Sequence, residues 1–243
     1  MSASYESILV NKIVSDFQNG KKEGAIKELN NFLEKNPEDN IARYNLALMY
    51  ENIENNTLAI KNYDIVISKD KKNWKARFNL YLIRIREKKF TDALKLINEV
   101  LIIKKDYQPA LRDKALSLLN LKKPEDAMRF ILQSIKIFPK DYIALNTLGL
   151  IYLQLNRIEE AEKLFLEIIK DFPSYISTYN NLGRCYSLQF KHEEALKYFK
   201  ITLNKDPNYL DALNNIANYY NEVGSYKKAL EYYYKALNID KDN

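Results

Sequence analysis

Seven positions spaced 34 residues apart carry small hydrogen-bonding side chains: Asn11, Asn45, Asn79, Asp113, Thr147, Asn181 and Asn215. In the last three repeats another asparagine comes one place earlier, at Asn146, Asn180 and Asn214. A carboxamide presents both donor hydrogens and an acceptor oxygen. It can therefore bond the N–H and the C=O of an extended peptide without requiring any particular side chain. A column of such groups would grip backbone whatever its sequence. The competing reading is structural, because the same amides can bond neighbouring backbone and the adjacent repeat. Tyr44 and Phe78, with Leu48, Leu82 and Arg184, stand around the column and would supply selectivity. Tyr and Arg are frequent interface anchors, whereas Leu116 and Leu150 read more simply as packing between repeats.

A second group of residues suggests anion chemistry. Arg77 and Arg84 fall where the repeat elsewhere places a buried apolar residue, and Lys114 replaces a core aliphatic. With Arg86, Arg112 and Asp113 they would form a mostly cationic patch. The two repeats that hold them carry nine cations against four acids and seven against four, within a chain of net charge +6. Arginine offers a planar fork of donors suited to a carboxylate or phosphate. The alternative is that the long stems run along the surface and pair with nearby acids.

Catalytic patterns are missing from the sequence. The one histidine, His192, sits between Lys191 and Glu193 in a turn and reads as solvated. The one cysteine, Cys185, falls where a small buried residue belongs, so it reads as a packed free thiol. There is no glycine-rich phosphate loop, paired metal ligand set or nucleophile elbow. The expectation is a chain that is not an enzyme, with no cofactor and no metal. Most of the nineteen tyrosines fall on core positions and cannot serve as stacking platforms, so nucleic acid is not an expected partner. No stretch approaches eighteen consecutive apolar residues and the first residues lack a secretory pattern, so no membrane partner and a cytoplasmic location are expected.

The elements that position these residues follow from periodicity. Ala25, Ala59, Ala93, Ala127, Ala161, Ala195 and Ala229 recur every 34 residues, without insertion. Each is followed four places later by a large apolar side chain, such as Phe165 or Phe199. Within each repeat two blocks show helical spacing, as in Leu145, Leu148, Gly149 and Tyr152, then Ala161, Phe165, Ile168 and Ile169. A short polar turn joins them, which makes them antiparallel neighbours. Gly149 with Ala161, and Gly183 with Ala195, are expected to let the backbones approach. Pro37, Pro139, Pro173 and Pro207 mark the ends of second helices, with Lys71, Lys105 and Lys241 at the same place in other repeats. Pro109 and Pro124 fall in first turns, where proline is tolerated. The domain reading is an N-terminal extension at 1–5 and a single solenoid at 6–243. Its repeats are 6–39, 40–73, 74–107, 108–141, 142–175, 176–209 and 210–243.

The 34-residue helix–turn–helix pattern resembles the tetratricopeptide repeat (TPR). It is fullest at Tyr179, Leu182, Gly183, Tyr186, Ala195, Phe199 and Pro207, continues at Gly224 and Ala236, and is weakest around Gly20, Ala25, Leu29 and Pro37. The resemblance implies an all-α fold, an α-α superhelix of about fourteen antiparallel helices whose first helices line a concave groove. It implies a non-catalytic scaffold that binds a protein or peptide ligand there. The asparagine column also looks like the ladder in the repeats of protein O-glycosyltransferases, although Asp113 and Thr147 interrupt it. The alternative function is therefore the N-terminal, substrate-recruiting region of a larger glycosyl- or sulfotransferase-like enzyme. Solenoids usually close on a polar capping element. The sequence runs into Lys241, Asp242 and Asn243 without one, so the last repeat is expected to expose apolar surface for self-association or a following domain.

Overall fold

The computed structural model describes residues 5–240. Of the expected N-terminal extension only Tyr5 lies among them, as the first residue of a helix. Lys241, Asp242 and Asn243 lie outside the described residues. Among those described, all regular structure is α-helical, in fourteen helices. In chain order these are α1 (Tyr5–Gln18), α2 (Lys22–Lys35), α3 (Asn40–Asn52), α4 (Asn56–Lys69), α5 (Trp74–Arg86), α6 (Phe90–Ile103) and α7 (Gln108–Asn120). They continue with α8 (Pro124–Ile137), α9 (Tyr142–Gln154), α10 (Ile158–Asp171), α11 (Ile176–Leu188), α12 (His192–Lys205), α13 (Leu210–Glu222) and α14 (Tyr226–Asp240).

The chain divides into two compact units whose boundary falls inside α7, after Ser117. In the first unit α1–α2, α3–α4 and α5–α6 pair as hairpins. In the second, α9–α10, α11–α12 and α13–α14 do the same. Each core cluster contains one hairpin and reaches into the first helix of the next. Ala42, Leu46 and Met49 of α3 join the α1–α2 cluster, and Leu182 and Cys185 of α11 join the α9–α10 cluster. Stability in such an arrangement comes mainly from neighbour-to-neighbour contacts.

Local signals agree with this layout. Asp39 caps α3 by accepting from the amides of Ile41 and Ala42, and Asp141 caps α9 in the same way. Asn73 and Asn55 cap α5 and α4. Pro124 opens α8 at a position whose amide has no helical partner. Every intra-repeat turn passes through one left-handed residue at the same place: Gly20, Glu54, Lys88, Lys122, Asn156, Phe190 and Gly224, with φ between 57° and 92°. Glycine takes this conformation freely, and a residue with a Cβ does so at a cost. Only two of the seven turns use glycine, so the helices on either side hold the other five in place.

The glycines of the helix contacts work differently from the sequence expectation. A Cβ added to Gly149 would fall against the ring of Phe165, and one added to Gly183 would lie 2.6 Å from Phe199 Cε1. The tight approach is therefore to the aromatic four residues after each alanine, with the Ala195 carbonyl as a secondary contact at 3.2 Å. The same two positions elsewhere hold Ile13 and Leu29, Ala47 and Tyr63, or Tyr81 and Ile97, all fully buried. In the second unit the phenylalanines have glycine opposite them.

Candidate docking cleft

The asparagine column does not form an open face. Asn181 Nδ2 donates to Asn146 Oδ1 at 3.0 Å, and Asn215 Nδ2 donates to Asn180 Oδ1 at 3.0 Å. Asn146, Asn180 and Asn181 are buried. In the first unit Asn79 Nδ2 donates to the hydroxyls of Tyr44 (3.0 Å) and Tyr63 (3.1 Å). Asn45 turns back to the carbonyl of its own Ile41. Three of these bonds join residues 35 apart, one repeat and one residue, and so tie consecutive first helices together. The structural alternative is the one this geometry displays. Asn214 makes no such bond among the described residues.

The two aromatics expected beside the column are also committed. Tyr44 lies against Tyr63, with ring centroids 5.9 Å apart, and its hydroxyl accepts from Asn79. Burial raises the Tyr44 phenol above its ordinary value. Phe78 packs on Tyr81 and, edge-on, on Tyr107. Phe78 belongs to inter-helix packing, while Tyr44 also lines a groove with Asn40, Ile41 and Asn73.

The four arginines do not converge into one cationic patch. Arg77 is buried and its Nε donates to Glu99 of α6 at 2.9 Å. Arg84 pairs with Glu87 at the end of its own helix (2.7 Å), and Arg86 crosses to Glu51 of α3 (2.6 Å). Arg112 pairs with the adjacent Asp113 at 2.9 Å. Pairing with local acids, the alternative weighed above, describes all four. Glu51 also accepts from Tyr63 Oη, which makes a closed polar network linking α3, α4 and α5.

A cleft of about 220 Å³ does open in the second unit, between α11 and α13 over α12. Its floor is Ala195 and Phe199, with the half-exposed Leu188 at one side. Arg184 and Asn218 give it donors on one wall beside the engaged Asn215, and His192, Tyr219 and Glu222 close the other end. Tyr219 Oη donates to Glu193 at 2.8 Å, and that bond raises its phenol pKa. His192 Nδ1 stands 3.8 Å from Glu222 Oε2. Arg184 has one long contact, 3.5 Å to Asn181 Oδ1, and no carboxylate within ion-pair distance among the described residues. It is exposed, unlike Arg77. Cys185, on the same helix, is buried. Desolvation pushes its thiol up to about 12, so it offers no nucleophile here.

Sequence reasoning placed Arg184 beside the groove but took His192 as merely solvated, and it missed Asn218, Tyr219 and Glu222. No local pattern marks these residues, since the cleft is assembled from three helices. The offset of 34 between Arg184 and Asn218 is the one signal that could have paired them.

Family profiles described as tetratricopeptide repeat match residues 12–64, 143–205 and 210–239, together more than half of the chain. No curated protein matches. Among solved structures, a tetratricopeptide repeat protein from Parabacteroides merdae ATCC 43184 superposes with a TM-score of 0.87 at 17% identity, covering 96% of this chain and 93% of that one. PilW, a type IV pilus biogenesis factor, gives 0.68 at 20% identity, over 80% and 90% of the two chains. YrrB, described as a TPR protein with an unusual peptide-binding site, gives 0.60 at 18% identity, over 76% and 95%. At these identities the likeness is one of fold.

Proposed function

The chain is a tetratricopeptide repeat protein, and we propose that it is a non-catalytic scaffold that seats a segment of another protein in the cleft between α11 and α13. The observation that carries this reading is the contrast among arginines. Those of the first unit on α5 and α7 are neutralised by carboxylates, while Arg184 lines the cleft without one. Its exposed guanidinium, with the amide of Asn218, suits an acidic or carbonyl-rich segment. The floor of Ala195, Phe199 and Leu188 takes an adjoining apolar side chain. YrrB supplies a precedent for the class of ligand on this fold, and for none of the residues.

The transferase-recruiting alternative leans on the asparagine column. It draws less support from the geometry, because the amides of Asn79, Asn181 and Asn215 are already engaged between helices. No helix among the described residues is long and apolar enough to cross a membrane.

Selecting peptides from a random displayed library on the wild-type chain, and re-testing them on Arg184→Glu, checks the reading. A hydrogen bond to a charged group contributes about 1.5–3 kcal/mol. Selected peptides should therefore lose about tenfold or more in affinity on the variant. Equal binding to the two chains would remove the cleft from the proposal.

A further inference from the structure

Arg43 and Arg77 stand at the same place in successive repeats, and only Arg77 has a counter-ion among the described residues. Arg77 Nε donates to Glu99 of α6 at 2.9 Å, and its Nη1 donates to the Asn73 carbonyl at 3.2 Å. One repeat earlier the position of Glu99 is held by Ile65 of α4. Arg43 therefore keeps a backbone bond, from Nη2 to the Pro37 carbonyl at 3.1 Å, without the acid that would complete the set. Its Nη1 reaches only the neutral Asn62 Oδ1, at 3.5 Å, and its Nε is enclosed with no acceptor among the described residues. No described carboxylate lies within ion-pair distance of it.

This guanidinium borders a groove of about 290 Å³ between α2 and α4, over α3. Leu33, Leu46 and Ile65 give the groove an apolar floor, the first two buried and the third half-buried. Lys61 adds a second cation and Glu34 an acid, both exposed. Holding a cation against apolar surface without a partner is costly. A carboxylate entering the groove would replace the long contact to Asn62 with a charge-assisted bond. A small turn of the side chain would then bring Nε to the same carboxylate, in the two-pronged geometry that arginine favours.

We infer that the groove is a recognition site for an acidic side chain of a partner protein, an aspartate or glutamate flanked by an aliphatic residue. The acid does for Arg43 what Glu99 does for Arg77, and the aliphatic neighbour lies on Leu33, Leu46 and Ile65. A free inorganic anion would meet the first demand and leave that floor bare, so the occupant is a polypeptide. The site lies within the first unit and is independent of Arg184 and the α11–α13 cleft, so each can fail without the other.

The probe is a set of nine-residue peptides with glutamate at the centre and alanine, leucine or isoleucine at the two places on either side. A matched set carries glutamine at the centre. Each peptide is titrated into isotope-labelled full chain, and NMR follows the Arg43 Nε–H together with the amides of Leu46 and Ile65. Saturable shifts at all three are expected from at least one glutamate peptide, with binding at least tenfold weaker for its glutamine match. Arg43→Leu should abolish the binding. Ile65→Glu places an acid where Glu99 stands in the next repeat, so it should move the Arg43 resonance in the free chain and weaken the peptide at least tenfold. Absence of shifts from the whole set overturns the inference, and so does equal binding by glutamate and glutamine peptides. Sodium acetate that shifts Arg43 as far as the peptide at equal concentration would reduce the groove to a simple anion site, against the inference. A Glu34→Gln change that moves the Arg43 resonance as far as the peptide does would show an internal counter-ion and overturn it as well.

Discussion

Replacing Gly183 by alanine sets two effects of similar size against each other. Alanine in a helix interior is favoured over glycine by about 1 kcal/mol. At Gly183, however, the new methyl would lie 2.6 and 2.7 Å from two atoms of the Phe199 ring and 3.2 Å from the Ala195 carbonyl oxygen. Carbon contacts are comfortable near roughly 3.5–4.0 Å, so the ring must move by about 1 Å. Phe199 is 3% exposed and shares its cluster with Ala195, Leu196 and Ile216, which leaves it nowhere to go. Overpacking of this kind costs about 1–3 kcal/mol. We expect Gly183→Ala to lose up to about 2 kcal/mol net. Urea unfolding by far-UV CD measures the loss, with hydrogen exchange in α11 and α12 showing that it is local. Gly24→Ala is the control. No atom lies within 4 Å of the added methyl there, so the propensity term acts alone and gives a gain of about 0.5–1 kcal/mol. Combining Gly183→Ala with Phe199→Leu should cost less than the two changes summed, because the smaller side chain vacates the contested space. A Gly183→Ala chain stabilised as much as the Gly24→Ala control would refute the packing argument.

Other consequences are equally concrete. Phe190 is 83% exposed and left-handed, so Phe190→Gly should raise stability by about 1 kcal/mol, whereas Gly224→Ala should lower it by a similar amount; paired thermal melts decide both. Asn181→Ala would take the 3.0 Å donor from the buried Asn146 oxygen, leaving it the longer 3.4 Å bond from Thr178, and should cost about 1 kcal/mol. An unchanged melt would show that the amide is not part of the packing between the two helices. Burial raises the phenols of Tyr63 and Tyr81 above their ordinary 10.0, so the folded state holds protons that the unfolded state releases. Stability from these groups is intact below pH 10 and declines above it. A tyrosinate titration should therefore lag behind that of the urea-unfolded chain. Cys185 should react with a thiol reagent at neutral pH far more slowly in the native chain than in urea, and equal rates would contradict its burial.

Periodicity alone made the architecture readable. Each helix needs one apolar stripe, and a stripe repeated every 34 residues can be buried only by stacking on its neighbours. Ala161, Phe165 and Ile168 declared α10, Pro173 marked its end and Pro124 the start of α8, because helix spacing and stop signals act within a few residues of the chain. Even the turn glycines Gly20 and Gly224 were visible. The five left-handed positions between them were not, since Glu54, Lys88, Lys122, Asn156 and Phe190 have no common chemistry. Their conformation is imposed by the helices they join.

The side chains that could bind something divided along the same line. Sequence spacing showed that Asn181 and Asn215 share a helix position, with Asn146 and Asn180 one place earlier in their repeats, and that Arg77 and Arg84 are unusual where they stand. Whether an amide or a guanidinium is free depends on what lies one repeat away, and a one-residue offset in stacking decides it. That offset brought Asn181 to Asn146 and Arg86 to Glu51, and left Arg184 and Asn214 open. The sequence by itself determined a tetratricopeptide solenoid, because local periodicity is a property of neighbours along the chain. Which polar groups are spent inside it and which remain for a partner was decided only by tertiary structure, because hydrogen bonds and ion pairs depend on ångström-scale distances between residues about 35 positions apart.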